Sequence, residues 1–266
     1  SVEQLLEYAR LVLERAQRLN PGNKDHSANL GRLFALWYNL NQDPAKLESA
    51  LRWYDEAHRV APNDVVILNE WATNLAQLGP SRYDEVEEKL TLARTLDPRY
   101  PSSYVRLGNL YRIKGQYMEA AEQYAQAIER QPNALDDARE GSLDPALATL
   151  KQDPAALQRL LAAYQAALEK HPDDPQLHSA AGRVAAALGD RQALQGAFDR
   201  AITIAPDNVK FRQQYTVALS ETQQYDAAIE QAEAGLKLAE TQERKTEADS
   251  LNQLVQTLQQ RRAGGS

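Results

Sequence analysis

Apolar residues recur along this chain at intervals of three and four over almost its whole length, the spacing that lines up one face of an α-helix. Many of the periodic runs end just before a proline. Prolines closing such runs fall at Pro21, Pro62, Pro98, Pro132, Pro172 and Pro206, and consecutive members lie 41, 36, 34, 40 and 34 residues apart. A proline stops a helix because the residue before it is pushed out of the α region. Asn23, Asn63, Asp174 and Asp207 or Asn208 then stand where the next helix needs an N-cap, and Pro101 and Pro175 suit first-turn positions. The pattern predicts helices alternating with short turns, and the near-constant period predicts stacked copies of one helical unit.

The unit has a residue signature. From Tyr104 the chain reads Tyr104-x2-Leu107-Gly108-x2-Tyr111, then Ala120-x3-Tyr124-x2-Ala127, then Pro132. The same frame returns as Leu30-Gly31-x2-Phe34 with Ala50, Tyr54, Ala57 and Pro62, and as Trp71-Ala72-x2-Leu75 with Leu90, Ala93 and Pro98. Later copies are Ala181-Gly182 with Phe198, Ala201 and Pro206, and Tyr215 with Leu219 and Ala228. Ala9, Leu13, Ala16 and Pro21 fit a second helix alone. Two antiparallel helices pack closely only where small residues sit between their axes, which accounts for Gly31, Ala72, Gly108 and Gly182 opposite Ala50 and Ala120. Large residues three or four positions away fill the hole beside each contact.

This signature, in phase over about residues 3–242, resembles the tetratricopeptide repeat (TPR). The resemblance implies an all-α solenoid, a right-handed superhelix of about fourteen antiparallel-packed helices. It also implies a non-catalytic scaffold that binds an extended peptide or a partner protein in a concave groove lined by first helices.

Three segments depart from the pattern. Seven extra residues around Leu36–Pro44 predict that the first helix of that pair runs to about Leu40 and that the hairpin protrudes. Two extra residues lie near Gly79-Pro80-Ser81. Asn133–Asp153 carries Asp136, Asp137, Gly141, Asp144 and Pro145 and no Leu-Gly-x2-Tyr line. The organisation expected is a TPR array over 1–132, a degenerate repeat or break over 133–153, a second array over 154–242 and a capping helix over 243–262. The break reads as a distorted repeat inside one continuous solenoid rather than a flexible linker, because the apolar pattern resumes within a normal repeat length.

Composition narrows the partners. A net charge of −7 argues against nucleic-acid and membrane-surface binding, which recruit excess Lys and Arg. With no cysteine there are no disulfides, thiolate metal sites or Cys nucleophiles. No apolar run approaches 18 residues and no signal-peptide core is present, so no direct membrane insertion of this stretch is expected. The chain begins at Ser1 with Met118 as its one methionine, which reads as a processed form or a piece of a longer protein. Its compartment, cytoplasmic or extracytoplasmic, stays open. A second reading rests on Leu19–Leu33, which resembles the start of TPR regions at the C-terminus of bacterial O-antigen ligase or polymerase-like membrane proteins. It implies an extracytoplasmic appendage of a glycan ligase or polymerase, with catalysis outside this stretch.

The search for chemistry finds little. His26, His58, His171 and His178 make no metal-ligand spacing, and there is no phosphate loop or nucleophile elbow. No active site, metal, cofactor or small-molecule substrate is expected. The groove-facing candidates flank the small residue of each first helix: Asn29 and Arg32; Asn69, Glu70 and Thr73; Arg106, Asn109 and Arg112. Arginines and asparagines suit the carboxylates and backbone of an extended peptide. The later set is Ser179, Ala180, Arg183, Gln213 and Gln214. The groove set that clamps the C-terminal carboxylate of heat-shock chaperones is matched only at Asn29 and Arg106, so that ligand is not inferred. Trp37, Tyr38 and Trp53, around the protruding hairpin, are core or, where exposed, a protein interface.

Overall fold

The computed structural model describes residues 1–136 and 142–264, and among them it has fourteen α-helices and no strand. The chain divides into two compact units, Ser1–Leu110 and Tyr111–Ser266. The first holds α1 (Val2–Leu19), α2 (Lys24–Asn41), α3 (Pro44–Val60), α4 (Val65–Leu75), α5 (Tyr83–Leu96) and most of α6 (Pro101–Ile113). The second holds the end of α6, α7 (Tyr117–Arg130), α8 (Leu143–Leu150), α9 (Pro154–Lys170), α10 (Pro175–Leu188), α11 (Arg191–Ile204), α12 (Val209–Glu221), α13 (Tyr225–Thr241) and α14 (Lys245–Gly264). In the first unit the closest partners are α2 with α3 and α4 with α5, with α1 laid against α2. In the second they are α10 with α11, α12 with α13 and α13 with α14.

Each proline-ended helix stops two residues before its proline: at Leu19, Val60, Leu96, Arg130, Lys170 and Ile204. The residue between, from Asn20 to Ala205, has φ between −142° and −131° and ψ between 62° and 104° in all six cases. That is the extended backbone which a following proline ring enforces. The next helix is then capped by a side chain: Asn23 accepts from Asp25 N–H, Asp174 from Gln176 and Leu177 N–H, and Asn208 from Lys210 N–H. The cap expected at Asn63 is one residue later, at Asp64, which accepts from Val66 and Ile67 N–H. Pro62 and Asn63 are consumed in the turn, and Asp64 is the first residue whose extended backbone aims its carboxylate at those donors.

Contacts inside the helix pairs are governed by volume. A Cβ placed on Gly31 would lie 3.1 Å from the ring of Tyr54, and one on Gly182 would lie 2.7 Å from that of Phe198. Ala50, Ala57 and Ala201 beside them are completely buried. Tyr54, Tyr124, Tyr164 and Phe198 are among the largest fully buried side chains, each contributing about 1.5–3 kcal/mol of burial. Phe198 is further fixed by stacking on Tyr215, with ring centroids 4.8 Å apart. His58 is partly buried beside Trp71, whose other neighbour is Lys89, its Nζ 3.5 Å from the ring centroid. Burial first, and the Lys89 charge second, hold the His58 imidazole below its usual pKa.

The three departures take physical form. α2 continues to Asn41, seven residues longer than α4, and its added turns leave Leu36 and Leu40 exposed. Gly79, at φ +89°, joins two short 3-10 turns, Ala76–Leu78 and Pro80–Arg82, which absorb the second insertion. In the third, Asp137 and Gly141 lie outside the described residues, and α8 is an eight-residue helix that buries Leu143, Ala146 and Leu150. Because α8 is short, α7 packs directly and extensively on α9. Beyond α13, α14 buries Leu251, Val255 and Leu258 in the core it shares with α12 and α13.

Two glycines separate packing from propensity. Gly182→Ala should destabilise by about 1–3 kcal/mol, since the added methyl meets an immobile ring. Gly196 sits within α11 with nothing within 4 Å of a built Cβ, so Gly196→Ala should stabilise by about 0.5–1 kcal/mol. Urea unfolding of the two variants checks both signs. Equal shifts would contradict the packing account.

Candidate functional site

The first-helix face of the first unit is a connected polar network. Arg32 on α2 donates from Nε to both Glu70 oxygens on α4, at 3.0 and 2.9 Å, and from Nη1 to Asn29 Oδ1 at 2.8 Å. Arg106 on α6 donates to the Asn69 carbonyl at 3.2 Å and to Thr73 Oγ1. Asn29, Glu70, Arg106 and Asn109 are half-buried, while Arg32 and Thr73 are exposed. Burial works against the Arg32 charge, but the Glu70 carboxylate outweighs it and raises the guanidinium pKa. The same carboxylate, after burial, pushes the Tyr54 hydroxyl up. The Arg32 charge on this face is therefore matched by Glu70.

Asn69, expected to face the groove, is inside, and of the two readings of Trp37 the structure has the core one. Asn69 is 1% exposed, its Nδ2 donating to the Val65 carbonyl at 2.7 Å and to Ser103 Oγ at 2.8 Å. It ties α4 to α6, since its amide nitrogen donates both to a hydroxyl on α6 and to a carbonyl of its own helix. Trp37 is 4% exposed, stacked on Phe34 with centroids 6.1 Å apart and covered by Lys46 Nζ at 3.9 Å. It fills the core of the lengthened hairpin and is no surface contact. Tyr38 and Trp53 are half-buried, Trp53 against that same core.

Arg112 belongs to the second unit, where its Nη1 donates to Thr149 Oγ1 of α8 at 3.2 Å. It lies near Tyr124, whose hydroxyl is pushed up to about 12 by burial, against the pull of Arg112. The second unit also has two open hollows on α10 and α12, the larger of them mainly polar. One of about 380 Å³ is bordered by Gln131, Asn133, Asp136, Gln176, Ser179, Asn208, Lys210, Phe211 and Gln214. A neighbour of about 210 Å³ shares Gln214 and adds Asp144, Arg183, Gln213, Val217, Ala218 and Glu221. Lys210, Gln213, Gln214 and Val217 fall there because spacings of three and four place them on one face of α12. Ser179, Arg183, Gln213 and Gln214 thus come together, whereas Ala180 is buried in the core. Gln131, Asn133 and Asp136, in the chain after α7, were not among the expected residues. The signal for them was their position beside Pro132, where every unit turns.

Arg183 organises this region. Its side chain is 10% exposed and donates to Asp136 at 2.8 Å and to Asp144 of α8. Burial opposes its charge and the two carboxylates more than restore it. Below lies Tyr164, whose hydroxyl has no partner and is driven up by burial. Among the described residues no cluster of three or more His, Cys, Asp or Glu could hold a metal ion. None of the described helices is long and apolar enough to cross a membrane.

The family model described as tetratricopeptide repeat matches residues 101–134. The chain aligns with a tetratricopeptide repeat protein from Parabacteroides merdae over 96% of its own length and 92% of that chain, at a TM-score of 0.50 and 14% identity. The fold is that of a TPR protein. The TPR2AB domain of yeast Sti1, in its complex with pHSP90, aligns at a TM-score of 0.36 and 17% identity over 89% of this chain and 98% of that one. In sequence, 85 residues are 29% identical to the small glutamine-rich tetratricopeptide repeat-containing protein 2 of Mycosarcoma maydis, covering 32% of this chain and 24% of that protein. The match thus spans about a quarter of that relative's length. The family model, the Parabacteroides merdae structure and the Mycosarcoma maydis sequence support the TPR assignment, and none of the matches supports the O-antigen ligase resemblance of Leu19–Leu33.

The two arginines differ in what they hold. Arg32→Ala should cost less than about 1 kcal/mol, because its Glu70 pair is partly solvated. Arg183→Ala should cost about 1.5–3 kcal/mol, because its hydrogen bonds to Asp136 and Asp144 are made by a largely buried side chain. Chemical denaturation of the two variants orders them. A larger loss for Arg32→Ala would contradict this assignment.

Proposed function

We propose that this TPR chain is a non-catalytic scaffold that binds an extended segment of another protein along its first-helix faces. TPR proteins generally mediate protein–protein interaction. The observation that carries the reading here is the pair of hollows on α10 and α12, rimmed by the amides of Gln131, Asn133, Gln176, Asn208, Gln213 and Gln214. A primary amide carries both a donor and an acceptor, so it can pair with the N–H and C=O of an extended backbone whatever the side chains. Arg183, engaged by two aspartates, contributes position more than free charge.

The face of α2, α4 and α6 is proposed as a second contact, through Asn29, Arg32, Glu70, Thr73, Arg106 and Asn109. Arg112 serves with the second unit. Arg106 is the group proposed to meet an acidic or C-terminal segment, while the Arg32–Glu70 pair offers both signs of charge at one place.

A peptide library displayed on phage and selected against the immobilised chain supplies ligands for the test. The Gln213→Ala/Gln214→Ala variant, or for acidic ligands the Arg106→Ala/Arg112→Ala variant, should weaken a selected peptide at least about tenfold, with helical circular dichroism retained. Ligands whose affinity neither variant changes would reject both faces.

A further inference from the structure

Glu221 is placed where its own helix has no use for it. It is the last residue of α12, and that last turn holds no basic residue. The carbonyls at a helix C-terminus form the negative end of the dipole, so a carboxylate there is unfavourable and a lysine or arginine favourable. Two arginines reach this end of α12: Arg191 donates to the Thr222 carbonyl at 2.9 Å, and Arg261 approaches the Ser220 hydroxyl at 3.5 Å. Among the described residues, neither of them nor any other cation pairs with Glu221. A residue that breaks a local rule with no gain inside the fold is a candidate for function.

Glu221 borders the smaller hollow on α10 and α12, and the rest of that hollow indicates what it accepts. Asp144 lines it from α8 and is 83% exposed. It gives Oδ1 to Arg183, and its Oδ2 has no bond among the described residues. Arg183 is the one cation among the described residues of the lining. Its charge is more than matched, because Asp136 holds it as well as Asp144. The hollow therefore keeps an excess of carboxylate. Val217, 46% exposed, and Ala218 add apolar surface to it.

We infer that this hollow takes the side chain of a lysine or arginine from the bound segment, its methylene stem on Val217 and Ala218 and its charge at Glu221 and Asp144. The inference rests on the proposal that the hollows of α10 and α12 receive an extended segment, and it adds which residue they select. Long basic side chains lay an apolar stem on apolar surface and keep the charged head at its polar edge. This lining serves both ends. An acidic side chain is disfavoured, since both terminal nitrogens of Arg183 are engaged, Nη1 by Asp136 and Nη2 by Asp144. It would meet Asp144 and Glu221 as like charges.

Phage-displayed peptides selected on the immobilised 1–266 chain supply the probes. Those that Gln213→Ala/Gln214→Ala weakens at least about tenfold are the ones seated at the hollows. Calorimetric titration of synthetic copies is then the test. Replacing a peptide's lysine or arginine by methionine, which keeps an apolar stem and removes the charge, should weaken it at least about threefold. Glu221→Lys should weaken the parent peptide at least about fivefold, while the urea midpoint of the chain holds or rises because the helix end prefers a cation. Glutamate in place of the peptide's basic residue should restore binding to the Glu221→Lys variant. Hollow-seated peptides that carry no basic residue, or that ignore Glu221→Lys, would overturn this inference and leave the hollows as a site for backbone alone. A drop in the urea midpoint would overturn it equally, by showing that Glu221 serves the fold. If no selected peptide responds to Gln213→Ala/Gln214→Ala, the underlying reading falls and this inference with it.

Discussion

Two helices can bring their axes within about 8 Å only where a residue lacks the side chain that would hold them apart. The structure depends on that constraint. Where Gly182 meets the ring of Phe198 a single added carbon has nowhere to go, and where Gly31 meets the ring of Tyr54 it would have to press the ring back by a few tenths of an ångström. The aromatic ring that closes each contact is itself walled in: Tyr54 by the hairpin core, Phe198 by Tyr215. Each proline then fixes where the second helix ends, and the extended residue before it fixes how the chain leaves. The repeat is thus a steric solution restated, with polar capping at Asp64, Asp174 and Asn208 completing each start.

The polar faces follow a looser rule. Solvated positions on α2, α4, α10 and α12 are free to vary in identity without disturbing the packing behind them, and here they have become largely self-satisfied. Arg32 is engaged by Glu70, Arg183 by Asp136 and Asp144, and Ser179 by Gln214. Under the proposed function these faces meet a partner mainly with amide edges, with charge already matched nearby. Such a surface reads backbone and shape, and gains little from long-range attraction.

Much of the fold was legible because its cause is local. The prolines predicted six helix ends, Gly31 and Gly182 predicted two helix contacts, and the insertion before Pro44 predicted the reach of α2 to within a residue or so. What escaped was whatever depended on neighbours distant in sequence. Asn69 has the composition of a groove residue, and only Ser103, 34 residues on, draws it inside. Trp37 reads in the sequence as core before contact, and Phe34 and Lys46 close over it. The one-residue shift of the cap from Asn63 to Asp64 reflects turn geometry that a Pro-Asn-Asp string leaves open. The partner of α9 was expected to be degenerate or broken because the Leu-Gly line is missing there, and α8, with Leu143, Ala146 and Leu150 buried, is such a short piece.

The account stands on the claim that glycine is present at these contacts because a ring occupies the adjoining space. A double-mutant cycle between Gly182 and Phe198, followed by urea unfolding, tests it directly. If the claim holds, Phe198→Leu removes the obstruction, and in that background Gly182→Ala becomes neutral or mildly stabilising, as helix propensity alone would have it. A coupling energy of about 1 kcal/mol or more between the two sites is the predicted result. Equal loss from Gly182→Ala with either residue at position 198 would contradict the claim.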